Sequence, residues 1–210
     1  MTRIVKVGLH EIEHPALHEA ADIMRQGGLV VFPTETVYGL GTIAYNESAV
    51  LSVFNAKNRD KNSPLPIQIS DISMLPWLSS EPLEHTDIIA RKFWPGPLTI
   101  VLPKNNRIPD SVTAGQKTVA VRIPDHPIAL QILRLLNAPA VATSANISGC
   151  PPPTSAAEAL QQIGDKVDFI IDSGPCFIGT SSTIISISGC DIKILRQGTI
   201  TLDDIKQALT

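Results

Sequence analysis

Gly28-Leu29-Val30-Val31-Phe32 runs directly into Pro33-Thr34-Glu35-Thr36-Val37-Tyr38-Gly39-Leu40-Gly41, and the reading of this junction decides the fold. A short, wholly apolar run bounded by turn residues reads as a buried strand, the kind found where both faces of a sheet are covered. Pro33 has no N–H to give to a ladder, so the strand ends there. Gly39 and Gly41 permit close approach of backbone, while Thr34, Glu35, Thr36 and Tyr38 bring polar groups to the strand's carboxyl end. Open α/β sheets bind ligands at that edge. A polar connection with no ligand has the same composition, so this stretch alone leaves both readings open.

Outward from the junction, strand-like and helix-like patterns alternate, which predicts an α/β fold with a twisted, mixed sheet and flanking helices. Before it come a strand over 4–7 and a helix over 15–26, where Leu17, Ala20, Ala21 and Met24 recur at helical spacing and Gly27-Gly28 is the stop. After it, Asn46 caps a helix reaching Lys57, and a strand over 65–69 follows. A helix around 83–93 leads into the rigid turn WPGP (94–97) and strands over 98–102 and 119–123. Pro127 opens a helix to about Leu136, a strand covers 138–143, and Thr154 caps a helix ending near Gly164. Strands over 169–171, 183–187 and 192–195 precede a last short helix, capped by Thr201 with Asp203 and Asp204 in its first turn.

The 210 residues, 43% hydrophobic and 18% charged, suit one globular domain over 1–210 with a core that needs no disulfide or metal. No run approaches the roughly 20 apolar residues of a membrane span, and the amino terminus lacks a basic patch followed by an apolar segment, so the expected location is the cytoplasm. Cys150, Cys176 and Cys190 are odd in number and include no CxxC pair, against a disulfide framework or zinc ribbon. A net charge of −3 supplies no global field for a polyanion, so any nucleic-acid contact needs a local patch. His10, His14 and His18 imitate a helical metal face, but Pro15 opens the helix and leaves His10 outside it.

Lys57 and Arg59 stand at a helix end just before a strand. An ammonium beside a planar guanidinium fork suits a polyphosphate, whereas cations at a helix terminus also satisfy its orphan carbonyls. In TSANISG (143–149), Ser144 and Asn146 follow another short apolar strand at the same sheet edge; they either donate to a ligand or close turns. GTSST (179–183) adds hydroxyls, and Arg196 and Arg122 are further strand-end cations, the latter with Asp125 as a local ion-pair candidate. Dinucleotide, P-loop, esterase-elbow, zincin and kinase signatures are all missing. The remaining inventory of hydroxyls, amides and cations without an evident nucleophile fits electrostatic phosphate chemistry.

PTETVYGLG (33–41), KNR (57–59) with NSPLPIQI (62–69), WPGPLT (94–99), TVAVRIPDHP (118–127), TSANISG (143–149), GTSSTII (179–185) and ILRQG (194–198) closely resemble, in this order, the YrdC-type threonylcarbamoyl-AMP synthases. The likeness extends over about residues 15–198. It implies a YrdC-like fold with a concave cationic cavity. It also implies an adenylyltransferase that converts L-threonine, bicarbonate and ATP to L-threonylcarbamoyl-AMP and pyrophosphate, for modification of adenosine 37 in ANN-decoding tRNAs by partner proteins. By the same resemblance Lys57 and Arg59 are catalytic, and Lys57, Arg59, Ser63, Thr118, Ser144, Asn146 and Arg196 bind ATP, which brings Mg²⁺ with no protein ligand assigned. Thr34, Thr36, Gln68, Arg122, Ala142 and Ser182 would surround threonine. Many relatives have histidine where this chain has Gln68, and asparagine where it has Ser63. The resemblance is to the short form, without the extra carboxyl-terminal domain of longer relatives. The alternative of another class is a noncatalytic module that binds double-stranded RNA or tRNA.

Overall fold

Apolar residues at alternate positions, sorted to opposite faces, build the centre of the sheet. The computed structural model describes residues 2–79, 84–188 and 191–209. Its elements in chain order are β1 (Arg3–Lys6), α1 (Pro15–Arg25), β2 (Val30–Phe32), β3 (Gly39–Ile43), α2 (Glu47–Lys57), β4 (Ile67–Gln68), α3 (Glu84–Phe93), β5 (Leu98–Pro103) and α4 (Asp110–Thr113). They continue with β6 (Thr118–Arg122), α5 (Pro127–Leu136), β7 (Ala140–Ser144), α6 (Ala156–Ile163), β8 (Phe169–Asp172), β9 (Thr183–Ser188), β10 (Asp191–Arg196) and α7 (Leu202–Gln207). The strands form one 10-stranded mixed sheet in the order β1-β8-β2-β3-β7-β4-β6-β5-β9-β10. The expected α/β architecture is therefore present as a single domain among the described residues.

Val30 and Phe32 of β2, Phe169 and Ile171 of β8, and Ala140 and Ala142 of β7 pack on one face against Leu17, Ala20 and Met24 of α1 and Ile128, Ile132 and Leu133 of α5. Val31, Ile170 and Val141, one residue out of step, belong to the opposite face, where α2 and α6 contribute Val50, Val53, Phe54, Ala159 and Ile163. That second core continues beneath the other half of the sheet through Ile67, Val121, Ile100 and Ile185. Each fully buried large aliphatic stabilises the fold by about 1.5–3 kcal/mol. Among the described residues no helix is long and apolar enough to cross a membrane.

Several boundaries differ from expectation for local reasons. The strand expected over 65–69 contracts to Ile67–Gln68, because Pro64 and Pro66 have no N–H for a ladder. Pro139 likewise delays β7 to Ala140. Ser155, not Thr154, caps α6, and the carboxylate of Glu158 takes the N–H of Thr154. His14 caps α1, its Nδ1 accepting from the Ala16 N–H at 3.1 Å, so it serves the helix start rather than a metal face. Leu83 and Cys190 lie outside the described residues. The largest omission is β3: the glycine-rich end of PTETVYGLG is a strand, antiparallel to both β2 and β7. There Gly41 answers to packing, since a Cβ would stand 2.7 Å from the ring of Phe32.

Candidate active site

The covered face of the sheet runs out beyond β7. Ala140 lies opposite Gln68, and Gln68 opposite Arg122, so a row that begins under α1 and α5 ends on polar side chains. Thr118 and Ala120, on the same face of β6, are half-buried while Val119 and Val121 are in the core. Here a cleft opens, lined by Thr34, Thr36, Gln68, Arg122, Thr99, Ala142, Ser144, Ser182 and Arg196.

Arg122 is the most constrained cation in it. Its Nε donates to the carbonyl of Gly96 at 3.0 Å, and its Nη2 donates to Glu35 Oε1 at 2.6 Å and to Thr36 Oγ1 at 3.0 Å. Nη1 has no hydrogen bond to protein among the described residues. Asp125, the local candidate, is not the ion-pair partner; Glu35 takes that place from a distant loop, and both members of the pair are buried. Asp125 is instead held above the usual carboxylate range by burial and by the charge of Glu35, with Arg122 acting the other way. The adjoining His126 is pushed down to about 4 by burial, against the opposing pull of Glu35.

The two threonines have a fixed proton direction. Thr34 Oγ1 donates to the Val37 carbonyl at 2.6 Å, so the 2.8 Å bond between the two hydroxyls uses the Thr36 proton, while Thr36 accepts from Arg122. Both protons are spent. Toward a ligand this wall therefore offers a lone pair of Thr36, which suits an ammonium or hydroxyl group. Gln68 also lines the cleft, and its Oε1 is buried without a hydrogen-bond partner among the described residues.

Lys57 does not reach the cleft wall. It is 1% exposed, and its ammonium donates to the carbonyls of Ser144 and Asn146 and to Asn146 Oδ1, the last two at 2.6 and 3.2 Å. The Ser148 N–H returns a bond to the Lys57 carbonyl at 2.8 Å, locking α2 to the loop after β7. Burial, and then the charge of Arg59, push Lys57 down to about 7, while its three acceptors favour the charged form. Asn146 is likewise occupied, its Nδ2 donating to the carbonyls of Ile147 and Cys150. Between Lys57 and Arg59, Asn58 takes the left-handed conformation with φ 49°. Arg59 is thereby turned toward the loop before β4, where Nη2 donates to the Pro64 carbonyl at 3.0 Å and Nε reaches that of Ser63.

Arg196 also lines the cleft. Its Nε and Nη2 donate to the Ser182 carbonyl at 3.1 and 2.8 Å, and Nη2 also to Ser182 Oγ at 3.1 Å. Burial, then Arg122, then Arg59 hold it below its ordinary range, so the three guanidiniums share one positive field. Thr118 lies four residues along β6 from Arg122, roughly 13 Å up the same face. The structure thus gathers Thr34, Thr36, Gln68, Arg122, Ala142, Ser144, Ser182 and Arg196 around the cleft. Lys57 and Asn146 lie beneath its loop, Arg59 and Ser63 interact beside it, and Thr118 stands farther off. Reading the residues missed Thr99 and the role of Glu35; their partners are 83 and 87 positions away in the chain. Alternation in LTIVLP placed Thr99 opposite to Leu98 and Ile100, the one signal that pointed to it.

Comparison with known proteins defines the class. Residues 22–198 match the Sua5/YciO/YrdC family model, described as telomere recombination, and the chain belongs to that family. The threonylcarbamoyl-AMP synthase of Pyrococcus abyssi is 44% identical over 209 residues, covering 100% of this chain and 61% of that protein. The enzyme of the same name from Bacillus subtilis is 41% identical over 196 residues, 93% of this chain and 57% of that one. The crystal structure of P. abyssi Sua5 complexed with L-threonine matches with a TM-score of 0.91 at 42% identity, over 100% of this chain and 61% of that chain. The chain spans between 57% and 61% of the length of these relatives.

Proposed function

We propose that this protein is an adenylyltransferase that makes L-threonylcarbamoyl-AMP and pyrophosphate from L-threonine, bicarbonate and ATP. One observation carries the reading: a buried, doubly anchored arginine and an acceptor-only hydroxyl meet in one cleft. Arg122 is matched to a carboxylate, and Thr36 to the ammonium or hydroxyl of the same amino acid. That a family relative has been crystallised with L-threonine supports this assignment. Gln68, Ala142, Ser182 and Thr34 complete the threonine end, and Arg196, Arg59, Ser63, Ser144 and Thr118 the nucleotide end. In this scheme Lys57 and Asn146 shape the loop that carries Ser144, and phosphate contact by Lys57 requires release of its carbonyl partners.

The free amine adds to bicarbonate with loss of water, or to CO₂ with loss of a proton, to give a carbamate, whose oxygen then attacks the α-phosphorus as pyrophosphate leaves. Arg59 and Arg196 offset charge on the phosphates, and a cleft that aligns carbamate and phosphorus supplies the remaining acceleration. The cleft wall offers hydroxyls but no carboxylate, and the described residues hold no cluster of metal-ligating side chains. This fits a Mg²⁺ ion that arrives on ATP, where it would neutralise phosphate charge. The product would pass, in the cytoplasm, to proteins that build threonylcarbamoyladenosine (t6A) into tRNA. A module that merely binds RNA has weaker support, because the arginines turn inward and the net charge is −3.

The decisive experiment is mass detection of threonylcarbamoyl-AMP after mixing the protein with ATP, Mg²⁺, bicarbonate and L-threonine. Product should require all of them, and Arg59→Ala should reduce it by two or more orders of magnitude, on the scale of a lost charge-stabilising donor. Tight tRNA binding with no product and no ATP binding would overturn the reading.

A further inference from the structure

Thr99 belongs to none of the groups assigned so far, yet it is 3% exposed and lines the cleft. Its Oγ1 lies 2.8 Å from Ser182 Oγ, and Ser182 is itself 3% exposed. We infer that Thr99 is a positioning residue that turns the Ser182 hydroxyl outward as a proton donor to the carboxylate of the amino-acid substrate. This rests on the reading of the cleft as a threonine site.

A proton count supports it. The Thr99–Ser182 pair has two hydroxyl protons, and one is used between them. Arg196 has only donors, so its Nη2 occupies a lone pair of Ser182 and consumes no proton. One proton therefore remains for a ligand, whereas the Thr34–Thr36 pair in the same lining has none. When an anionic group lies against Ser182, the favoured arrangement has Thr99 and Arg196 both donating to Ser182 Oγ. With both lone pairs filled, its proton can only point away from them, toward the ligand. The cleft is thus polarised, acceptor on the Thr36 side and donor on the Ser182 side, which fixes the end-to-end direction of an amino acid held by Arg122.

The test is steady-state pyrophosphate release by the full chain and by Thr99→Val, Thr99→Ser, Ser182→Ala and the Thr99→Val/Ser182→Ala double variant. Thr99→Val should raise the L-threonine KM roughly tenfold, the scale of one oriented hydrogen bond to a charged group, with kcat changed less than about twofold. Thr99→Ser should restore the parent KM. Within the Ser182→Ala background, Thr99→Val should add less than about a twofold rise, because its effect passes through Ser182. An unchanged KM in Thr99→Val overturns the inference, and so does an equal rise with and without Ser182. A parent that releases no pyrophosphate with threonine and bicarbonate removes the threonylcarbamoylation reading itself, and the inference with it.

Discussion

The two halves of the sheet use the two faces of their strands differently. From β8 to β7 both faces are covered, and the residues toward α1 and α5 are Val30, Phe32, Phe169 and Ile171, all fully buried. From β4 to β9 the opposite face keeps its apolar lining, but the face continuing from α1 and α5 presents Gln68, Arg122 and Thr99. The difference shows how the site arises. It occupies the place where the helical layer stops while the sheet continues, so polar side chains there are buried against the sheet and its loops without being sealed off from a ligand.

Substitutions can break or sharpen this division. Phe169→Ala, in the covered half, should cost about 3–5 kcal/mol and lower the melting temperature, while protein that remains folded binds substrates as the parent does. Equal loss from any large residue on the open face would erase the distinction. Arg122→Met should cost about 3 kcal/mol because it strands the buried Glu35 carboxylate. Adding Glu35→Gln should recover part of that loss in chemical denaturation without restoring threonine binding, separating the two jobs of one arginine.

His126 sits at the boundary, at the start of α5. Because it is held near 4 against an ordinary 6.5, the unfolded chain takes up its proton first, and stability should fall as pH drops from 6.5 toward 4. His126→Gln should flatten that part of the pH–stability curve; an unchanged slope would mean the ring is not buried neutral. The smallest stability effect belongs to Thr118→Val on the open face, within about 0.5 kcal/mol. A few-fold rise in the ATP KM would place the nucleotide along β6, and an unaltered KM would exclude Thr118 from its site.

Much of this was legible in the sequence where the signal is local. Helix starts at Pro15 and Pro127, the caps at Asn46 and Thr201, and apolar runs such as Phe169–Ile171 declare themselves within a few residues. β3 did not, because Gly39 and Gly41 are poor strand formers, and at Gly41 a side chain would collide with the ring of Phe32 and crowd the Val141 carbonyl of β7. Among site residues, motif resemblance located the cleft lining, but pairing was invisible. Asp125 is near Arg122 in sequence, whereas Glu35 is near it in space. Lys57 and Asn146 were expected to face a nucleotide separately; the fold instead joins them across 89 positions.

The left-handed turn at Asn58 has a consequence for the two cations beside it. Residues two apart on a continuing helix would point to different sides with a separation set by the helix itself. Here one positive backbone angle sends Lys57 inward, under the Ser144 loop, and Arg59 toward the strand-entry loop. The spacing between those charges is therefore a main-chain property. A β-branched residue at position 58 would meet a steric cost of about 1–2 kcal/mol in that conformation and relax toward another, re-aiming both cations at once. The uncharged member of the triplet thus governs the geometry of the charged pair without touching anything the cleft holds.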